Sequence, residues 1–120
     1  MANLVTSTSL ASFATGYKTT ITHIGVGSGT TAPTVGDTNL ITPVPVTPRK
    51  ATTVETATGA IVTFETFYST SEGNGTIAEV GLFSTLAGLD CGARALLSTT
   101  QTKTSSKTML VTFTVTFANA

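Results

Sequence analysis

Only a few side chains in this 120-residue sequence could serve as acid, base, nucleophile or ligand. There is one histidine, His23, one cysteine, Cys91, and no tryptophan. A triad built on His23 needs a carboxylate and a nucleophile, but Ser and Thr are so abundant here that nearness to one carries no information. A zinc site needs further His or Cys ligands, and only scattered carboxylates accompany these two. Cys91, between Asp90 and Gly92, is a loop thiol with no partner for a disulfide within the chain. Glu65 and Glu79 are the acids set inside apolar stretches. Two carboxylates held roughly 5 to 10 Å apart across a cleft would suit glycoside hydrolysis. The aromatic platforms such a cleft needs reduce to Tyr17 and Tyr68. Glu79 is better read as a structural acceptor of backbone amides, or as a partner for Arg94 from a neighbouring strand. The cluster Gly25 to Gly29 invites comparison with a phosphate loop, yet no Lys-Ser/Thr follows and the spacing is not G-x-G-x-x-G. Strand exit and close packing explain those glycines. Asn74-Gly75-Thr76 matches a glycosylation acceptor, but no secretion signal precedes it, and a hairpin turn is the simpler reading. No catalytic residue, cofactor or metal is expected. The chain reads as scaffold.

Composition agrees. Six cations balance six anions, and charged residues make up 10% of the chain, against about 25% in ordinary domains. Arg49-Lys50 is the one adjacent like-charged pair, so nucleic acid is excluded as a partner, because it demands several cations on one face. Polar positions go to threonine instead, about a quarter of all residues. Thr is β-branched, stiff at χ1 and still polar, which suits the outer side of a pleated sheet. A surface so weakly charged gives a free monomer little colloidal protection and hints that neighbours cover it. The opening MANLVTSTSLASFATGYK lacks a basic n-region, and nothing approaches the roughly 18 apolar residues of a membrane span. Synthesis in a cytoplasm without a membrane anchor is expected.

Residues 7–15 predict a short helix, capped at Ser7 or Ser9, with Leu10 and Phe13 as its apolar face and Gly16 as its stop. Residues 1–19 form an N-terminal arm and residues 20–120 a single β-domain. Thr20 to Gly27 is a strand with Ile24 and Val26 on one face, followed by a Gly-rich loop into Pro33. Asp37 should cap one helical turn through Leu40. Pro43, Pro45 and Pro48 force an extended, non-central path. Lys50 to Thr56 and Ala60 to Ser69 read as an antiparallel pair turning at Thr58-Gly59, and Glu72 to Gly75 as a tight hairpin turn. Strands Thr76 to Ser84 and Ala93 to Ser98 come next, then a polar connection from Gln101 to Lys107. In TMLVTFTVTF, Met109, Val111, Phe113, Val115 and Phe117 share one face, with Thr112, Thr114 and Thr116 on the other. About six strands imply an all-β, single-domain antiparallel β-sandwich or small barrel with a short N-terminal helix or arm.

Two blocks carry a family likeness. Ile24-Gly25-Val26-Gly27-Ser28-Gly29-Thr30-Thr31-Ala32-Pro33 with Gly36-Asp37-Thr38-Asn39-Leu40 is one. Glu72-Gly73-Asn74-Gly75-Thr76-Ile77-Ala78-Glu79-Val80-Gly81-Leu82-Phe83 is the other. Together they resemble small structural proteins of tailed bacteriophages, similar to the N-terminal domains of tail-collar fibre proteins. The resemblance spans about Ser7 to Phe117. It implies a β-sandwich that attaches to other virion subunits, often as a symmetric oligomer such as a homotrimer. Fibre proteins usually continue into a long shaft, whereas this sequence stops at Ala120, which looks more like a capsid decoration or cement subunit than a tail or fibre adaptor. The expected location is the virion, and the expected partners are major capsid or tail subunits. Leu4, Leu10, Phe13 and Tyr17 in the arm, with Pro43, Pro45 and Pro48, are the candidate contacts to them. Glu79 and Arg94 are the candidate structural polar pair. The rival from another class is a carbohydrate-binding host-recognition module using Tyr17, Tyr68 and exposed loops.

Overall fold

The helix comes first because its cap and its buried face are both in the sequence. The computed structural model describes residues 4–119. Helix α1 spans Ser7–Thr20, and its cap is Thr6, whose hydroxyl accepts from the Ser9 amide at 3.3 Å. It runs through Gly16 instead of stopping there. A glycine inside a helix costs about 1 kcal/mol, and the anchors beyond it outweigh that cost. Tyr17 packs edge-to-face on Phe64 and Phe117, with centroids 6.0 and 5.5 Å apart, and Ile21 is buried just past the last turn. The inward stripe is therefore Leu10, Ala14, Tyr17 and Ile21, with Ala14 and Ile21 buried and the other two half-buried, while Phe13 is 53% exposed. The expected Leu10–Phe13 face is half wrong, because the inward stripe is centred on Ala14, Tyr17 and Ile21 and Phe13 falls at its edge, about 100° round the helix from Ala14. The described part of the N-terminal arm, residues 4–19, is docked on the sandwich. Ala14 and Tyr17 belong to the core cluster, and Asn119 holds the Val5 backbone through both its amide oxygen and its amide nitrogen.

The rest is a sandwich of two antiparallel sheets. The strands are β1 (His23–Gly27), β2 (Arg49–Ala51), β3 (Val54–Thr58), β4 (Ile61–Tyr68), β5 (Gly75–Phe83), β6 (Cys91–Lys103) and β7 (Met109–Thr116). One sheet has the order β2-β1-β5-β6 and the other β3-β4-β7. The stretch expected as one strand from Lys50 to Thr56 is two, one in each sheet. The switch falls between adjacent residues: the Thr52 amide donates to Thr22 and the Thr53 amide to Glu65. Likewise Glu72 to Gly75 is not a hairpin, since β4 and β5 lie in different sheets. Gly73 and Gly75, at φ 63° and 138°, take the unusual dihedrals there, not Asn74.

Between the sheets lie Ile24, Val26, Val62, Phe64, Tyr68, Ile77, Leu82 and Val111. β7 shows the alternation read from its sequence, with Val111 buried and Thr112, Thr114 and Thr116 exposed. β6 runs further than expected, to Lys103, and takes in part of the supposed connection. The Pro-rich segment does not reach away from the body. The Val44 amide donates to Val26 and the Val26 amide to Pro48, and Val44 is buried. No helix among the described residues is long and apolar enough to cross a membrane.

Candidate functional site

Five of the charged residues, Glu79, Arg94, Asp37, Arg49 and Asp90, are gathered where the loops 28–42 and 84–90 meet the four-stranded sheet, and they hold those loops. Glu79 on β5 is fully buried. Its carboxylate accepts from the amides of Gly29, Ile41 and Thr42 at 2.8–2.9 Å. It also accepts from the Arg94 guanidinium at 3.1 Å, reached across the β5–β6 pair. Glu79 thus does both things the sequence allowed it. Arg94 continues outward, donating to Asp37 at 2.9 Å and to the Thr31 carbonyl at 2.7 Å. Asp37 in turn accepts from the Thr34 amide and hydroxyl. The Thr34 amide, then Arg94, hold its carboxyl below the usual range. Asp37 therefore closes a turn that precedes it and does not cap a helix after it.

Glycine is required where this carboxylate arrives. A Cβ on Gly29 would stand 2.5 Å from Glu79 Oε2, and one on Gly27 would stand 2.5 Å from the Thr42 carbonyl oxygen. The glycine cluster therefore clears room for an acid of the chain itself, not for a phosphate. The two sequence blocks that carry the family likeness are also direct neighbours. Ile24 lies opposite Leu82, Gly25 opposite Gly81, Val26 opposite Val80 and Gly27 opposite Glu79.

A second clamp escaped the sequence reading. Arg49, counted there only as half of a like-charged pair, is buried with its guanidinium 3.6 Å from the Phe83 ring centroid. It donates to Asp90, to Asn39 and to the carbonyls of Thr85 and Gly88. Burial pushes the Asp90 carboxyl up, but hydrogen bonds from Ser84, Thr85 and Arg49 outweigh it and hold the group at about 2. Lys103 is buried too, donating to the Ser69 carbonyl and the Asn74 side chain at 2.7 Å. Period-two alternation in β2 and β6 was the one available signal for these inward cations, and both segments were too short or too polar to display it. Lys50 pairs with Glu72, and that contact with the Ser69 amide lowers the Glu72 carboxyl to about 2. Among the described residues no buried side-chain nitrogen or oxygen lacks a partner.

The remaining candidates fall apart as a site. His23 is partly exposed and bonds to the Thr22 hydroxyl at 2.8 Å. Burial, then Arg49, lowers its pKa. Burial raises the Cys91 thiol, which donates to the Ala93 carbonyl. Glu65, on β4 in the other sheet from Glu79, accepts from Thr112. Tyr68 is fully buried, its hydroxyl bound to the Ile24 and Pro48 carbonyls, and burial raises its pKa. Tyr17 is half-buried and its ring packs edge-to-face on Phe64 and Phe117, so of the aromatic contacts suggested for a glycan only part of Tyr17 reaches the surface. No group of three His, Cys, Asp or Glu able to hold a metal exists among the described residues. Of the candidate contact residues, Leu4, Phe13, Pro43 and Pro45 are exposed, and Leu10, Tyr17 and Pro48 are half-buried, Tyr17 against the core.

The opposite character appears along the side where β6 and β7 end their sheets. A cavity of about 420 Å³ opens there between the layers, lined mainly by Ile77, Val80, Leu97, Met109, Val111 and Phe113. Leu97 and Leu110, both part of its lining, are exposed at 36% and 62%. No protein-family model and no curated protein sequence matches this chain.

Proposed function

We propose that this chain is a non-enzymatic structural subunit of a tailed-phage virion that decorates or cements the outside of the particle through subunit contacts. One observation carries the reading. Every buried charged side chain is consumed in fastening the chain's own loops, while the uncharged, Thr-rich edge strand β7 is left outward. A catalyst keeps at least one polar group aimed into an open cleft; here the cleft between β6 and β7 is lined mainly by apolar side chains, and the buried charged groups are closed off. The likeness to collar-fibre N-terminal domains supports the same reading, since its two blocks form one hydrogen-bonded unit, β1 with β5. Buried ion pairs add little net stability once desolvation is counted. Their contribution is position: they fix Ser28 to Thr42 and Ser84 to Asp90 in one shape, as a subunit that must fit a lattice requires. Cryo-EM of purified particles of the virus that encodes the chain tests this. The proposal expects symmetric density for the sandwich on the particle exterior, on the capsid in the decoration form. Particles lacking the protein altogether would refute it.

A further inference from the structure

The two sheets of the described residues have four edge strands, and three of them are guarded. An exposed edge offers unpaired N–H and C=O groups, which natural domains blunt with shortness, charge, proline or a bulge. β2 is three residues long, follows Pro48 and carries Lys50. β3 is five residues long, carries Glu55 and has α1 packed against it. β6 is broken where Ile77 faces Gln101 but Glu79 faces Leu96, so that Leu97 to Thr100 bulge out of the ladder. It also carries the cations Arg94 and, as its last residue, Lys103. β7 has none of these devices. It pairs with β4 without a break from Met109 to Thr116, and Thr108 to Phe117 contains neither charge nor proline. The Phe117 amide donates to Ala60, so by antiparallel alternation the odd-numbered residues of β7 turn to β4. Leu110, Thr112, Thr114 and Thr116 therefore present their backbone groups outward.

The layers are also unequal. Four strands face three, and the apolar cavity lies where a fourth strand beside β7 would cover β6. We propose that this place is taken by β7 of a second copy, paired antiparallel about a two-fold axis near Phe113. Such an axis sets Thr112 opposite Thr114 of the partner subunit and Val111 opposite Val115 of the partner subunit. Apolar faces meet apolar and Thr faces meet Thr, because a two-fold centred on a residue keeps the period of two in phase. Charge selects the copy as well: like charges directly opposite are unfavourable, and a neutral strand meeting itself has none. The inward side chains of the second β7 would extend the three-stranded sheet over the cavity.

This rests on the reading of the chain as an assembling subunit, and the two fail separately. A dimer never found on particles would sink the virion role, whereas a monomer found on particles would sink the edge pairing. The test is light scattering on the full chain over a concentration series. The proposal expects a mass rising to twice 12.2 kDa. Thr114→Pro removes an outward N–H, and Thr114→Lys places charge on the edge; each should weaken the dimer about tenfold or more. Thr114→Lys, at an exposed position, remains informative if the proline variant does not fold. A wild type that stays monomeric overturns the proposal. So does a dimer that both variants, or the lysine variant alone if only it folds, leave unchanged.

Discussion

The clamped end and the open side of this sandwich are built on opposite rules. At the clamped end, Glu79, Arg94, Asp37, Arg49 and Asp90 spend nearly all their hydrogen-bonding capacity inside the chain. Along β7 there is no charge at all, and a row of backbone groups has no partner among the described residues. The difference teaches that charge here is a tool for holding shape, and its absence marks the edge on which the proposed second copy would pair.

The sharpest way to break the clamped end is Glu79→Gln. An amide cannot accept from three backbone N–H groups and a guanidinium at once, and it turns a donor toward donors. Breaking a buried charge pair costs about 3–5 kcal/mol, to be read as a lowered urea midpoint. Next comes α1. Tyr17→Ala should cost about 2–3 kcal/mol, below the range for a fully buried ring, whereas Phe13→Ala should stay within about 0.5 kcal/mol. Equal losses at the two positions would return α1 to the role of a loose arm. Gly27→Ala forces a methyl against the Thr42 carbonyl, a backbone atom that has little freedom to yield. Overpacking of this kind costs about 1–3 kcal/mol.

Acid probes the same region more gently. The carboxyls of Asp90 and Glu72 sit at about 2 in the folded chain, below the value of about 4 of an unfolded carboxylate. Their contribution is therefore complete above about pH 4 and is lost as pH falls toward 2. A pH series of thermal midpoints should fall in that window, and Asp90→Asn should flatten part of the fall. On the open side the expected effect on folding is smallest. Thr114→Lys should shift stability by no more than about 0.5 kcal/mol, even though it disrupts association.

The two regions also differ in how far they could be read in advance. β7 was legible because a half-buried strand writes its environment into every second residue. Glu79 was legible because an acid between Ala78 and Val80 must find donors. Arg49 and Lys103 were not, since a cation next to polar residues looks solvated until the fold closes over it. The sheet switches at Thr52-Thr53 and at Ser69 to Asn74 were hidden for a related reason. Turn residues announce a change of direction, but not whether the next strand returns to the same sheet. Gly16 misled because local stop signals yield when tertiary anchors such as Tyr17 and Ile21 lie beyond them.

Residue-resolved amide hydrogen exchange, followed as protein concentration is raised, tests the contrast most directly. The amides of Gly29, Ile41 and Thr42 should be protected at every concentration, held by Glu79 alone. Those of Leu110, Thr112 and Thr114 should exchange freely when dilute and gain protection as copies associate. Free exchange along β7 at all concentrations, or concentration-dependent protection confined to the clamped loops, would contradict the account.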